Sequence, residues 1–263
     1  VVLTIAACGG TAATEEEQAA TPGTVNQQEE VLDAGEEENG DPKAQEAVIS
    51  GQGSQGVYED LAAGFTEEGF PYRGDPGAPI VLEEFSDFLC PFCGRHFNET
   101  LPTLIDNFVT DGEVQYIFRD MPLVSLHPTA PVGHKAAICA GQQGADLYWY
   151  MHDELFAQQT AWASVPDPGV YMTSLAENAG VDMDAFETCM ASTEIDTQIA
   201  QGVAAGQALG FTGTPSFRFT NRESGESYTM IGAYPLATFT EWVNAMLIGD
   251  APPQEEVAES EPP

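Results

Sequence analysis

Apolar residues keep two rhythms along this chain, and the switch between them marks out the elements. Ile80, Val81, Leu82 and Phe85 form a short apolar run that reads as a buried strand. Over residues 94–109 the apolar positions become Phe97, Leu101, Leu104, Ile105 and Phe108, which lie on one helical face. Pro102 falls inside that segment and predicts a kink. Residues 113–119 alternate and then end apolar, which predicts a second strand. From about 129 to 210 the chain is rich in Ala, Gln and Met with largely helical periodicity. Residues 210–219 lead into a third strand, 221–227 form a polar turn, 228–231 a fourth strand, and 236–248 an amphipathic helix. The order is β-α-β, a helical block, then β-β-α, which places the chain in the α/β class.

The flanks have neither rhythm. Residues 9–56 hold 11 acids, one base (Lys43) and no aromatic, so they cannot bury enough apolar surface to offset their ordering entropy. They read as a disordered acidic tether, and residues 251–263, with four Glu and four Pro, as a second disordered tail. Residues 57–250 are left as the folded part, with 27 acids against 6 bases. The whole chain carries 42 acids against 7 bases, a formal charge of −35. That balance excludes phosphate-backbone binding of nucleic acid and a polybasic membrane patch. It fits an exported protein kept soluble by self-repulsion, or one adapted to high salt. No apolar run is long enough to cross a membrane.

Residues 1–8 read as the end of a signal peptide. Ile5-Ala6-Ala7-Cys8 resembles a bacterial lipobox, which makes Cys8 a candidate for lipidation and the lipid the expected membrane anchor. Five cysteines are an odd number, and assigning Cys8 to a lipid leaves four.

Two of those four carry the candidate chemistry. Cys90-Pro91-Phe92-Cys93 follows the first strand and opens the first helix, the position of a thioredoxin-like redox motif. Cys90 falls at the N-cap and Pro91 at the first helical position, which proline tolerates best. Unpaired N–H groups and the positive end of the helix dipole favour a thiolate there. Cys93, one turn in, can close a disulfide with Cys90 and should be more buried. A haem site needs His after the second cysteine, and Gly94 stands there. A metal site could recruit His96 but lacks a fourth ligand. A purely structural disulfide would staple little chain.

The surrounding motifs resemble those of the DsbA-like thiol–disulfide oxidoreductases. They are the run 74–80, Glu84-Phe85-Ser86-Asp87-Phe88, the Cys-Pro-Phe-Cys motif itself and Phe118-Arg119-Asp120-Met121-Pro122-Leu123. Cys139-Ala140 with Gln143-Gly144, Met151-His152-Asp153-Glu154-Leu155-Phe156 and Gly213-Thr214-Pro215 follow in the family's order, so that the likeness covers about 71–247. The resemblance implies a thioredoxin fold with an inserted all-helical subdomain at about 129–210. It makes Cys90 the attacking thiol, Cys93 its buried partner, and Thr214-Pro215 a cis-proline turn where an extended substrate can add. Glu84 matches an acidic position at the end of the first strand. Buried there, its pKa would rise and it could relay the Cys93 proton, while Glu83 should face the other side. Pro91-Phe92 departs from the Pro-His of the best-known DsbA oxidases and brings no positive charge.

With Cys90 paired to Cys93, Cys139 and Cys189 remain as a second disulfide, and many relatives resemble the chain at both positions. Two buried free thiols are the alternative. His127, His134 and His152 are expected to be structural, and Tyr148, Trp149, Tyr150 and Phe156 to pack the insertion. The resemblance implies a monomeric extracytoplasmic enzyme without metal or organic cofactor, held to the membrane by a lipid only. Its partners would be exported cysteine-containing proteins and a membrane re-oxidant, DsbB-like or vitamin K epoxide reductase-like. A reductase or isomerase, or a non-catalytic lipoprotein binding peptides or metal in a thioredoxin-like groove, are the competing readings.

Overall fold

The computed structural model describes residues 56–253. The lipobox with Cys8, the tether apart from Gly56, and residues 254–263 of the tail lie outside the described residues.

The apolar run at 80–86 is a strand, β4 (Ile80–Ser86), buried at six of its seven positions. It runs parallel to β5 (Val114–Asp120), every residue of which is buried. On its other side it pairs antiparallel with β6 (Ser216–Asn221), and β6 pairs antiparallel with β7 (Ser227–Ile231). Parallel neighbours need a crossover rather than a tight turn. Here α1 (Pro91–Glu99), α2 (Leu101–Leu104) and a π-helical turn (Ile105–Val109) supply it. The single kinked helix expected at 94–109 is therefore a broken one. Pro102 has no N–H to offer the Asn98 carbonyl, so the α1 ladder stops and the helix restarts with Pro102 in its first turn.

Three strands that the hydrophobic rhythm did not mark precede β4. They are β1 (Gly56–Tyr58), β2 (Leu61–Phe65) and β3 (Pro71–Arg73). All are short, and β2 reads Leu-Ala-Ala-Gly-Phe, without a β-branched residue. They form an antiparallel meander that attaches to the free edge of β5. Glu59 and Asp60, at φ 49° and 66°, make the two-residue turn between β1 and β2. Among the described residues the sheet order is β1-β2-β3-β5-β4-β6-β7.

Between β5 and β6 stand six helices of the described residues. They are α3 (Ala130–Gly141), α4 (Ala145–Ala157), α5 (Gln159–Trp162), α6 (Pro168–Ala179), α7 (Met183–Ala191) and α8 (Thr193–Ala208). The Ala-rich α3 is their hub and packs on α4, α6, α7 and α8. Cys139 of α3 is bonded to Cys189 of α7, with an S–S distance of 2.01 Å. The aromatic group of α4 packs beyond the insertion. Trp149 is fully buried, and its Nε1 donates to the Tyr72 carbonyl of β3 at 3.0 Å, tying the block to the sheet. α8 passes so close to β5 that a Cβ on Gly202 would collide with the Asp120 carbonyl. α9 (Leu236–Leu247) packs Phe239, Val243 and Met246 into the core beside α2 and β4.

Candidate active site

The loop between β4 and α1 is fixed by one buried carboxylate. Asp87 Oδ1 accepts from the Leu89 amide and Oδ2 from the Leu123 amide, each at 2.8 Å, and His127 Nδ1 lies 2.8 Å from Oδ2. Burial opposes ionisation of Asp87, but His134, His127 and the Leu123 N–H outweigh it and bring the pKa to about 2. From the insertion, Gln159 Nε2 donates to the carbonyls of Phe88 (2.8 Å) and Cys90 (3.0 Å). Gly94 leaves room for that side chain, since a Cβ there would stand 2.6 Å from Gln159 Oε1.

Held this way, Cys90 is the N-cap of α1 and Pro91 its first helical residue. The Thr214–Pro215 peptide is cis and faces it, with the Cys90 thiol donating to the Thr214 carbonyl at 3.2 Å. Ser216 Oγ donates to the Gly213 carbonyl at 2.7 Å, and the Gly232 amide donates to the Pro215 carbonyl at 2.8 Å, which pins the turn to β6 and β7. Phe92 is 56% exposed beside the buried Cys90, with the Arg95 guanidinium 5.2 Å over its ring.

The two thiols occupy opposite electrostatic settings. Cys90 has its pKa lowered to about 6. The Cys93 thiol is the largest cause; burial opposes it, and the Thr214 side chain and the backbone N–H groups of Cys93 and Phe92 add to it. Cys93 is fully buried, and its pKa is pushed well above the ordinary value by burial, by Cys90 and by the charge of Glu84, with Ser86 acting the other way.

Glu84 lies behind Cys93, fully within the protein, and Glu83 faces the opposite side of the sheet. Glu83 Oε1 is 2.5 Å from Arg119 Nη1, and Glu83 Oε2 pairs with Arg218. The expectation that burial would raise the Glu84 pKa is overturned. Burial does push it up, but His96 and the hydrogen bonds of Tyr116 and Ser86 hold it below the ordinary carboxylate value. Tyr116 Oη donates to Glu84 Oε2 at 2.7 Å, and His96 Nε2 is 3.3 Å from the same oxygen.

The motif residues Cys90, Cys93, Thr214 and Pro215 converge here, with Glu84 behind them. Cys139 and Cys189 are remote in role, joining two helices of the insertion, and Cys8 is outside the described residues. Asp87, Gln159, Ser86, Tyr116 and His96 were not assigned a part in the site from the sequence. Asp87, three residues before a helix-capping cysteine, is the one with a local signal, because Asp readily bonds the backbone two residues on. Gln159 comes from α5, 69 residues after Cys90, and only tertiary structure brings it in. His96 was weighed only as a metal ligand. Its ring turns instead toward Glu84, and among the described residues no group of three His, Cys, Asp or Glu side chains is placed to hold a metal.

A strand, a CxxC at a helix N-terminus and an opposing cis proline define a thioredoxin-type site. A family model described as "Thioredoxin" matches residues 66–232, and the chain belongs to that family. Its form within the family is the DsbA-like one, a thioredoxin fold with an inserted helical subdomain. Wolbachia pipientis alpha-DsbA1 superposes with a TM-score of 0.59 over 66% of this chain and 88% of its own, at 22% identity. Oxidised BdbD from Bacillus subtilis gives a TM-score of 0.58 over 68% of this chain and 94% of its own, at 18% identity. In sequence, the chain is 32% identical over 175 residues to the Na(+)/H(+) antiporter NhaA 3 of Salinispora tropica. That match covers 66% of this chain but 25% of the antiporter, so the chain spans about a quarter of that relative's length. The probable disulfide bond formation protein D of Bacillus cereus is 26% identical over 145 residues, 54% of this chain and 66% of the relative.

Proposed function

We propose that the protein is a thiol–disulfide oxidoreductase that exchanges disulfides with exported proteins through Cys90 and Cys93, acting as an oxidase. The observation that carries this reading is the asymmetry of the pair. Cys90 has a pKa of about 6 and faces the Thr214 carbonyl, whereas Cys93 is buried and hard to ionise. A low Cys90 pKa stabilises the final dithiol form and makes Cys90 the better leaving group when a second substrate thiolate resolves the mixed disulfide, which favours passing the disulfide to the substrate.

In the oxidase direction a substrate thiolate attacks the Cys90 sulfur. The Cys90–Cys93 bond breaks, and Cys93 leaves as a thiolate that takes up a proton, for which Glu84 is the nearest buried relay. A second substrate thiolate then attacks the substrate sulfur of the mixed disulfide and releases Cys90 as a thiolate. The substrate gains a disulfide and the protein becomes a dithiol. An extended substrate segment adds its backbone at Thr214-Pro215 during the exchange. Re-oxidation falls to a membrane partner, DsbB-like or vitamin K epoxide reductase-like. Lipidation of Cys8, with residues 9–56 as tether, would keep the domain near that partner on the outer side of the membrane. Of the described residues, no helix is long and apolar enough to cross one. Cys139–Cys189 serves as a structural staple.

Phe92 favours a second reading as a reductase or isomerase, since an apolar side chain in the motif adds no positive charge to stabilise the Cys90 thiolate. Trapping tests the exchange itself. When the Cys90 thiolate of Cys93→Ser attacks a disulfide-bearing substrate, the substrate disulfide breaks and one substrate sulfur leaves as a thiolate. A mixed disulfide to Cys90 should then accumulate, visible by mass, whereas Cys90→Ser should give none. Equal absence in both variants, with the fold intact, would leave a non-catalytic binding protein.

A further inference from the structure

Behind the CxxC lies a titratable group that the exchange steps above do not use. His96 sits on α1 one turn after Cys93, and its side chain is completely buried. Neither ring nitrogen has a hydrogen-bond partner in good geometry. A buried imidazole with both nitrogens unpaired is costly, and such groups call for a functional explanation.

The surroundings supply one. From β4, Glu84 Oε2 stands 3.3 Å from His96 Nε2, close enough for an ion pair and short of a formed hydrogen bond. From β5, Tyr116 donates to that same oxygen at 2.7 Å. β6 and α9 present the rings of Phe217 and Phe239, with centroids 4.8 and 5.1 Å from the imidazole, so the ring is gripped by aromatic faces. On its own helix, Cys93 precedes it by three residues, which places both side chains on one face. Glu84 feels both partners, since the charge of Glu84 opposes ionisation of Cys93 and His96 favours ionisation of Glu84. Ser86, also buried, belongs to the same cluster and acts on both Glu84 and Cys93.

We propose that His96 is a positioning residue of the exchange reaction, which shares one proton with Glu84 and hands it through that carboxylate to and from Cys93. The inference rests on the thiol-exchange reading of Cys90 and Cys93 and adds a partner that keeps the buried relay charged or neutral as the cycle requires. With Cys90–Cys93 closed, the proton resides on the His96–Glu84 pair. When a substrate thiolate opens the disulfide, the Cys93 thiolate receives that proton through Glu84. In reverse, the Cys93 thiol returns its proton to the pair and the thiolate attacks Cys90. The Cys93–Cys90 bond forms, the bond from Cys90 to the substrate sulfur breaks, and the substrate leaves as a thiolate. No other oxidant or reductant enters, because the substrate thiol and disulfide carry the electrons.

The test separates the two thiols in time. Mixing the reduced protein with 5,5′-dithiobis-(2-nitrobenzoate) in stopped flow releases one chromophore when Cys90 attacks and a second when Cys93 resolves the mixed disulfide. His96→Gln and His96→Phe should leave the first release and its pH profile in place. They should slow the second by about tenfold or more near neutral pH, as loss of an acid–base partner does, and move its midpoint to higher pH. If both variants keep their melting temperatures and the second release is unchanged in rate and profile, the role of His96 is overturned. If the first release is missing in the unsubstituted protein, the thiol-exchange reading itself has failed. Should the variants not fold, histidine NMR on the unsubstituted protein decides. The protonation or tautomer of His96 should differ between the disulfide and dithiol forms, and identical signals in both overturn the proposal.

Discussion

Two cysteines one helical turn apart meet opposite physical demands, and this is where residue chemistry governs. Cys90 draws on the Cys93 thiol and on free N–H groups of the helix start, so its thiolate should appear with a midpoint near pH 6. Cys93 should show none until far above its ordinary range. Ultraviolet absorbance of the reduced protein across pH checks both, and a single transition near the ordinary thiol pKa of about 8.5 would contradict them. The Cys90 pKa is depressed in the folded state. Its contribution to the stability of the reduced form is therefore full above the unfolded thiol pKa and is lost as pH falls through about 6. Denaturant melts of the dithiol form should accordingly weaken between those pH values relative to Cys90→Ser. The motif residues were legible because their chemistry is local, tied to a strand end and a helix start. Glu84 was legible in place but not in charge. The sequence shows a carboxylate on a buried strand, whereas the groups that hold its pKa down, His96 and Tyr116, belong to a helix and a neighbouring strand. Gln159 was beyond reach for the same reason, since the Cys90 carbonyl it holds belongs to another part of the chain.

At the level of elements, the long apolar rhythms survived folding and the short ones did not announce themselves. β4, β5 and α9 follow their apolar patterns, because each buries a continuous face. The meander β1–β3 was not visible, because strands of three to five residues are too short to show a rhythm and are set by pairing one on the next, with β3 alone on β5. The break at Thr100 follows from Pro102, yet whether such a proline kinks a helix or restarts it depends on packing, here of α2 on α9. Replacing Cys139 and Cys189 together by Ser opens a 50-residue loop and should cost up to about 4 kcal/mol in denaturant unfolding. The Cys90–Cys93 equilibrium should stay unchanged, and a shifted equilibrium would show that the staple reaches the active site. Gly202→Val sets a branched side chain against the Asp120 carbonyl, where α8 crosses β5, and should destabilise by about 1–3 kcal/mol. A neutral melt would mean that α8 can shift freely.

Across the whole molecule, charge is the dominant fact. With 27 acids against 6 bases in residues 57–250, the folded part works against its own repulsion, which salt screens over about 8–10 Å at moderate ionic strength. Thermal stability should therefore rise as sodium chloride is added, and a flat or falling melting temperature would show that repulsion is not limiting. The few cations within the fold are committed to structure. Arg73 pairs with Asp153 at 2.5 Å and stacks on Trp149, and Arg119 and Arg218 both engage Glu83. The Cys90–Cys93 couple is the centre of the account, and its equilibrium with glutathione tests it most directly. The purified protein is equilibrated over a series of reduced and oxidised glutathione, quenched in acid and read by mass. The oxidase reading predicts a reversible couple with a potential near about −120 mV, the range of strong disulfide donors. A couple near about −270 mV would contradict the oxidase role and point to a reductase, and no reversible couple at all would contradict thiol exchange as the function of this site.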